Sequence, residues 1–255
     1  MRHWTVDGYD LTQAAHNIRE IPQGIGFPGR RGENITVPFR DGSRYVRKAL
    51  LERQITLGMQ VFGEENIDTI NQLFGREGLM VVTAETEGET RQIQCEAKNP
   101  IWHVIEIEDY AKFTVDLLAP DPHWYALTKT EKTITVDETP LNTEGGETLI
   151  LTNPGTAPTR KAIITATGVI SDLKIENKTT ETWVRWSGDL AASTLIIDVG
   201  GYSAELGGDN VAGLITHAGD PSFLVIAAGD NELEITTEND PPDGTVKIEF
   251  YAPYF

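Results

Sequence analysis

A chain of 255 residues has room for about two domains of ordinary size, and a hydrophobic content of 39% spread along it excludes a disordered protein. The net charge of −18 falls on both halves: residues 1–127 carry 13 basic and 19 acidic side chains, and residues 128–255 carry 8 and 20. Neither half has the basic surface that phosphate-driven nucleic-acid binding needs, and an anionic membrane repels both.

In the first half, short apolar-alternating runs between Gly, Pro, Asn and Asp predict strands over His3–Val6, Asn34–Phe39, Arg53–Phe62, Leu79–Thr86, Thr90–Ala97, Ile101–Glu108 and Ala111–Leu118. Thr86-Glu-Gly-Glu-Thr90 is a tight hairpin connection with Gly88 at positive φ, and Lys98-Asn99-Pro100 reads as a second turn. A helix is predicted from about Glu65 to Phe74. Ile67, Ile70, Leu73 and Phe74 share one face, Glu64, Glu65 and Asp68 sit at the positive N-terminus, and Gly75 follows the last turn. Leu11–Arg19 is predicted to hold a further short helical turn.

The prolines of Leu118-Ala-Pro-Asp-Pro-His-Trp-Tyr125 interrupt regular pairing, so the domain boundary is placed between Ala126 and Glu131. The domains are then 1–127 and 128–255. Strands are predicted in the second at Thr133–Val136, Glu147–Thr152, Lys161–Thr167, Leu173–Asn177, Thr182–Trp186, Thr194–Asp198, Ser203–Leu206, Phe223–Ile226, Asn231–Thr237 and Thr245–Tyr251. Turn signals recur every ~8–12 residues, the pattern of an antiparallel sandwich or jelly roll. Leu195/Ile197/Val199 and Val246/Ile248/Phe250 give their strands one core face each. The fold class is mainly β with one short helix.

No chemistry-bearing constellation emerges. The five histidines, His3, His16, His103, His123 and His217, lack metal-ligand spacing. Gly201-Tyr-Ser-Ala-Glu205 misses the last glycine of a nucleophile elbow and precedes no helix. Cys95 reads as a packed strand residue, and a lone cysteine allows no intramolecular disulfide. Glu64/Glu65 and Glu106/Glu108/Asp109 are acid groups expected at a helix start and on a solvent-facing strand edge. Gly24-Ile-Gly26 lacks the context of a phosphate loop, and Gly207-Gly-Asp-Asn210 and Asp240-Pro-Pro-Asp243 read as turns before calcium loops. No cofactor, no metal and no enzymatic activity is expected. The first residues lack an apolar signal core, and no stretch approaches the ~20 apolar residues of a bilayer span, so synthesis and folding in a reducing cytoplasm are expected, without membrane insertion.

Two features point outward. Residues 19–53 carry Arg19, Arg30, Arg31, Arg40, Arg44, Arg47, Lys48 and Arg53 against Glu20, Glu33, Asp41 and Glu52, a basic island in an acidic protein. It is a solvated loop or a contact between subunits, with Arg30, Arg31, Arg40, Arg44 and Arg47 as interface residues. In Thr182-Trp-Val-Arg-Trp186, alternation places Trp183 and Arg185 on one face and Trp186 on the other. Either one Trp is core and one lies at an edge, or Trp183 and Trp186 contact a glycan, which would make the second domain a carbohydrate-binding module for a host surface.

The phrases of the chain, in order, resemble the distal tail (Dit) proteins of long-tailed, non-contractile bacteriophages. The resemblance is carried by Trp4-Thr-Val-Asp-Gly-Tyr-Asp-Leu11, Thr36-Val-Pro-Phe-Arg-Asp-Gly-Ser43, Arg53-Gln-Ile-Thr-Leu-Gly-Met-Gln-Val-Phe62, Ala119-Pro-Asp-Pro-His-Trp-Tyr125, Leu151-Thr-Asn-Pro-Gly-Thr-Ala157 and Ala227-Ala-Gly-Asp-Asn231. The Gly- and Arg-rich loop 20–34 matches no phrase. The resemblance implies a homo-hexameric ring at the virion's tail tip, closed by the N-terminal domain, with a galectin-like C-terminal sandwich projecting outward. It implies as partners the tail tube protein, the tail-tip hub and receptor-binding proteins.

Overall fold

The computed structural model describes residues 3–13, 16–18, 22–32, 35–36, 43–44, 49–86, 88–105, 110–137, 148–191, 193–218, 223–238 and 243–255. They pack as two compact units, Met1–Trp124 with Phe255, and Tyr125–Tyr254. Strands dominate both, and the single α-helix among the described residues is Glu64–Phe74.

The first unit is built on the strand Arg53–Phe62, which pairs antiparallel along its whole length with Tyr110–Ala119. Its alternation is strict: Ile55, Leu57, Met59 and Val61 are buried while the residues between them face outward. Each such aliphatic side chain contributes ~1.5–3 kcal/mol on full burial. The helix follows this strand directly and buries Ile70 and Phe74. Phe74 lies 5.4 Å from Phe113, which meets Trp102 at 4.5 Å, and the Trp102 indole donates to Asn71 Oδ1 at 2.9 Å.

The strand Glu89–Ile105 pairs first with Met80–Thr86 and then with Tyr110–Ala119. The turn expected at Lys98-Asn99-Pro100 is instead an irregularity inside this continuous strand. The register shifts between Lys98 and Ile101, with Asn99 at φ 51°. A proline with no N–H and a residue in the left-handed region are tolerated at a bulge, so the signal was real but its type was misjudged. Trp4–Val6 pairs with Met80–Thr86 and, through a turn with Asp7 and Gly8 both at positive φ, with Tyr9–Asp10. The helical turn expected over Leu11–Arg19 does not form in the described part: His16–Ile18 is a strand on the Arg53–Phe62 edge, where ladder hydrogen bonds replace helical ones.

The second unit is a β-sandwich. One sheet orders Thr148–Asn153, Gly229–Thr236, Lys174–Asn177, Thr182–Trp186 and Ile215–His217. The other runs from Asp209–Asn210 through Ser203–Leu206, Leu195–Asp198, Ile163–Val169 and Asp243–Tyr254 to the strand Trp124–Asp137. Ile175, Val184, Trp186, Leu233 and Ile235 of the first sheet are buried, as are Ile164, Leu195, Ile197, Val246, Ile248 and Phe250 of the second. The run Phe223–Ile226, expected as a strand, forms no ladder: the Val225 amide donates to Thr182 Oγ1, and its carbonyl accepts from the Asn177 and Thr180 side chains. Phe223, Leu224 and Ile226 are buried, and Ile226 makes only an isolated bridge to Thr159.

Two buried asparagines fix the loops of this unit. Asn231 donates to the carbonyls of Ala227 and Gly229 at 3.0 and 2.9 Å and accepts from the Ala227 amide and from Asn177. Asn153 accepts from the Gly155 amide and donates to the Ala157 carbonyl. A Cβ at Gly155 would stand 2.1 Å from the Pro253 carbonyl oxygen, so only glycine lets these backbones approach.

Candidate interaction surface

The basic island resolves into a folded-back ribbon on the first unit. Four antiparallel pairings nest within one another: Gln23 with Thr56, Arg30 with Leu50, Ile35 with Arg44, and Thr36 with Ser43. Backbone bonds from Arg31 to Ala49 and from Leu51 to Gly29 close the middle of the ribbon at 2.9 and 2.8 Å. Arg40, Arg47, Arg19, Glu20, Glu33, Asp41 and Lys48 lie outside the described residues, and Arg44 belongs to the short strand Ser43–Arg44.

Arg53, read from sequence as part of the island's charge, is the structural root of the ribbon. It is buried, and its guanidinium meets carbonyls where a carboxylate would be expected. Nε donates to Pro122, and Nη1 points at the carbonyls of Gly24, Ile25 and Gly26, at distances of 2.5 to 3.2 Å. Arginine's fork can serve several acceptors at once, which a lysine ammonium reaches less well. Burial pulls the guanidinium's pKa down, yet arginine keeps its proton. Beside it, burial pushes the Cys95 thiol up to about 12, so this cysteine is a packed apolar residue. Gly24 completes the grip: its φ is 81°, and a Cβ there would lie 1.8 Å from the Gln54 carbonyl oxygen. Sequence reading missed this role because a buried arginine bound to carbonyls leaves no charge partner to find.

The fixed loop presents Phe27 to solvent at 54% exposure, next to the buried Pro28. The Phe27 ring packs on Phe255 at 4.8 Å, and the Arg30 guanidinium stands 5.5 Å from its centroid. His123 lies 5.7 Å from Phe255 and is held by Asp121 at 2.8 Å. Leu51, also exposed, lies against Gly29 of the same ribbon. Arg30 and Arg31 are exposed and form no ion pair among the described residues.

The two tryptophans of the second unit part company. Trp186 is fully buried and packs over Gly188, so its side chain has no surface to offer a glycan. Trp183 lies on the outer face, partly exposed, with the Lys174 ammonium 5.6 Å from its ring and Glu176 directly across the ladder. Its neighbours are tied into charge pairs. Lys174 meets Glu176 at 2.7 Å, Lys178 bridges Glu176 and Glu234, and Arg185 forks onto Asp172 and reaches Glu238. Arg185 holds the Asp172 carboxyl down at about 2. On the second sheet, Lys129 and Lys247 clasp Glu249, and Lys247 also meets Glu131 at 3.1 Å.

Among the described residues no three histidine, cysteine or acidic side chains gather as metal ligands, and no helix is long and apolar enough to cross a membrane. Gly207 and Gly208, both at positive φ, form the two-residue turn between Ser203–Leu206 and Asp209–Asn210. Glu106, Glu108, Asp109 and Asp240 lie outside the described residues.

No protein-family model and no curated protein matches the sequence. Among solved structures, the Dit (gp 19.1) protein of phage SPP1 superposes with a TM-score of 0.72 at 15% identity, over 98% of this chain and 99% of that one. The chain has the Dit fold. That structure is described as a paradigm of the hub adsorption apparatus in phages infecting Gram-positive hosts. A chain of the phage P2 baseplate in its activated conformation with Ca covers 98% of both chains at 9% identity, with a TM-score of 0.49. The likeness to SPP1 Dit spans both units, and among the described residues the fold is mainly β with one short helix, as expected.

Proposed function

We propose that this chain is a structural, non-enzymatic protein of a bacteriophage tail tip. In this reading it forms a homo-hexameric ring between the tail tube and the tip hub. Residues 1–127 close the ring, and the sandwich of residues 128–255 projects outward, where it anchors receptor-binding proteins. The observation that carries the reading is the likeness to SPP1 Dit along the full length of both chains. The ribbon supports it: a ring needs a head-to-tail interface whose rotation closes, and an anchored surface whose Arg30 and Arg31 form no ion pair among the described residues suits an acidic neighbour.

The test is sedimentation of the purified chain, alone and with its phage's tail tube protein, together with negative-stain electron microscopy. A six-fold annulus in either condition is expected. A monomer that also fails to bind tube protein would sink the reading.

A second reading rests on Trp183, which lies partly exposed beside Arg185 and Glu176 on the outer face of a sheet. Here the sandwich is a carbohydrate-binding module for a host surface polymer. Glycan-array binding that disappears in Trp183→Ala supports this reading, and binding retained in that variant removes it.

A further inference from the structure

We infer that Phe27 is the anchor of the contact between copies, and that the surface of Phe27, Leu51, Arg30 and Arg31 seats on a second copy of this chain. The inference rests on the ring reading and names the residues that would carry it. Three observations lead there independently.

The first is exposure with preorganisation. A large aromatic at 54% exposure is costly to leave in water, and this one is held still. The three carbonyls of Gly24, Ile25 and Gly26 are gripped by Arg53, Pro28 is buried, and the Phe255 ring supports Phe27 from beneath. Ordering of a binding loop is a main entropic cost of association, and here it is met before any partner arrives.

The second is composition. One ribbon carries an exposed aromatic, an exposed leucine beside Gly29 and two exposed arginines, of which Arg30 stands over the aromatic ring. Aromatic and arginine side chains dominate the energetics of protein interfaces, while lysine and acidic side chains are depleted at their centres.

The third is charge. Arg30 and Arg31 lack a carboxylate partner among the described residues, in a chain of net charge −18. Nucleic acid and anionic lipid are repelled by that charge at long range. Another copy of this acidic chain supplies carboxylates for the pair, and a patch that fits a different face of its own kind makes the head-to-tail contact a ring requires.

The experiment compares the concentration dependence of assembly for the full-length protein and for the variants Phe27→Ser and Arg30→Glu, by analytical ultracentrifugation. Ile196→Ser, which changes an exposed aliphatic on the second unit, serves as control. Each ribbon variant is expected to raise the half-assembly concentration at least tenfold, and the control to leave it unchanged. Thermal unfolding of Phe27→Ser should stay close to the parent, because half of the side chain is already in water, which separates lost contact from lost fold. If the parent assembles and both ribbon variants assemble equally well, this inference fails and the ring reading stands. A parent that stays monomeric at every concentration, both alone and with tube protein, removes the ring reading and this inference with it. Loss of tube-protein binding with self-assembly intact reassigns the surface to that partner.

Discussion

Arg53 Nε donates to the carbonyl of Pro122 at 2.6 Å, tying the start of the strand Arg53–Phe62 to the proline-rich segment that ends the first unit. The same guanidinium holds residues 24–26 through Nη1, so one side chain fixes two loops. Arg53→Ala should therefore release the ribbon. Hydrogen exchange at the amides of Gln23, Arg31, Leu51 and Thr56 is expected to accelerate strongly, with amides of the second unit unchanged. Global stability should fall by about 2–4 kcal/mol, since charged donors to four part-buried carbonyls are lost and a buried side chain is deleted. Unchanged exchange at these four amides would show that the ribbon holds itself.

Trp186 and Gly188 make a second test. A Cβ at position 188 would stand 2.6 Å from the Trp186 ring, which is fully buried. Trp186→Ala is expected to cost about 3–5 kcal/mol by chemical denaturation, the usual cost of deleting a buried aromatic. Gly188→Ala should cost about 1–3 kcal/mol by overpacking. Trp183→Ala should stay within about 1 kcal/mol, because its ring is partly solvated already. Equal losses at 183 and 186 would contradict the placement of the two rings on opposite faces.

The Asp172–Arg185 pair gives the acid side of the stability profile a definite shape. Arg185 keeps the folded carboxyl at about 2, well below the ordinary aspartate value of about 3.9. A depressed folded pKa stabilises the native state at pH values above the unfolded pKa, and the contribution disappears as pH falls from about 4 towards 2. Glu238 shares a hydrogen bond with Asp172, which raises its own pKa and works in the opposite direction over its own titration. Asp172→Asn should lose about 0.2–1 kcal/mol at neutral pH, the range of a pair open to water. The difference from the parent should shrink as pH falls through about 2, the folded pKa, and vanish below it. A difference that persists there would mean that packing, and no charge effect, sets the role of Asp172.

Much of the architecture was legible because alternation is a local signal. Arg53–Phe62, Thr182–Trp186 and Ser203–Leu206 coincide with their predicted strands, since each keeps one apolar face to a core. The helix starts one residue earlier than read, at Glu64, where its acids favour the N-terminus. Ile215–His217 was missed because three residues carry too little periodicity, and Phe223–Ile226 was overread because consecutive burial differs from alternation. The surface was less legible. Phe27 stands between a glycine and a proline with no period to mark it, and its meaning depends on Arg53, 26 residues away in sequence. Trp183 and Trp186 were placed on opposite faces by alternation, but which one is core follows only from the pairing of Thr182–Trp186 with Lys174–Asn177 and Ile215–His217.

The paired lysines and glutamates on the outside of the second unit, Lys129–Glu249–Lys247–Glu131 on one sheet and Lys174–Glu176–Lys178–Glu234 on the other, have a colloidal consequence. Sheet surfaces stack when they are flat, apolar and uncharged. A lattice of alternating sign must be dehydrated and broken before two such faces can touch, so it works against face-to-face stacking of two sandwiches.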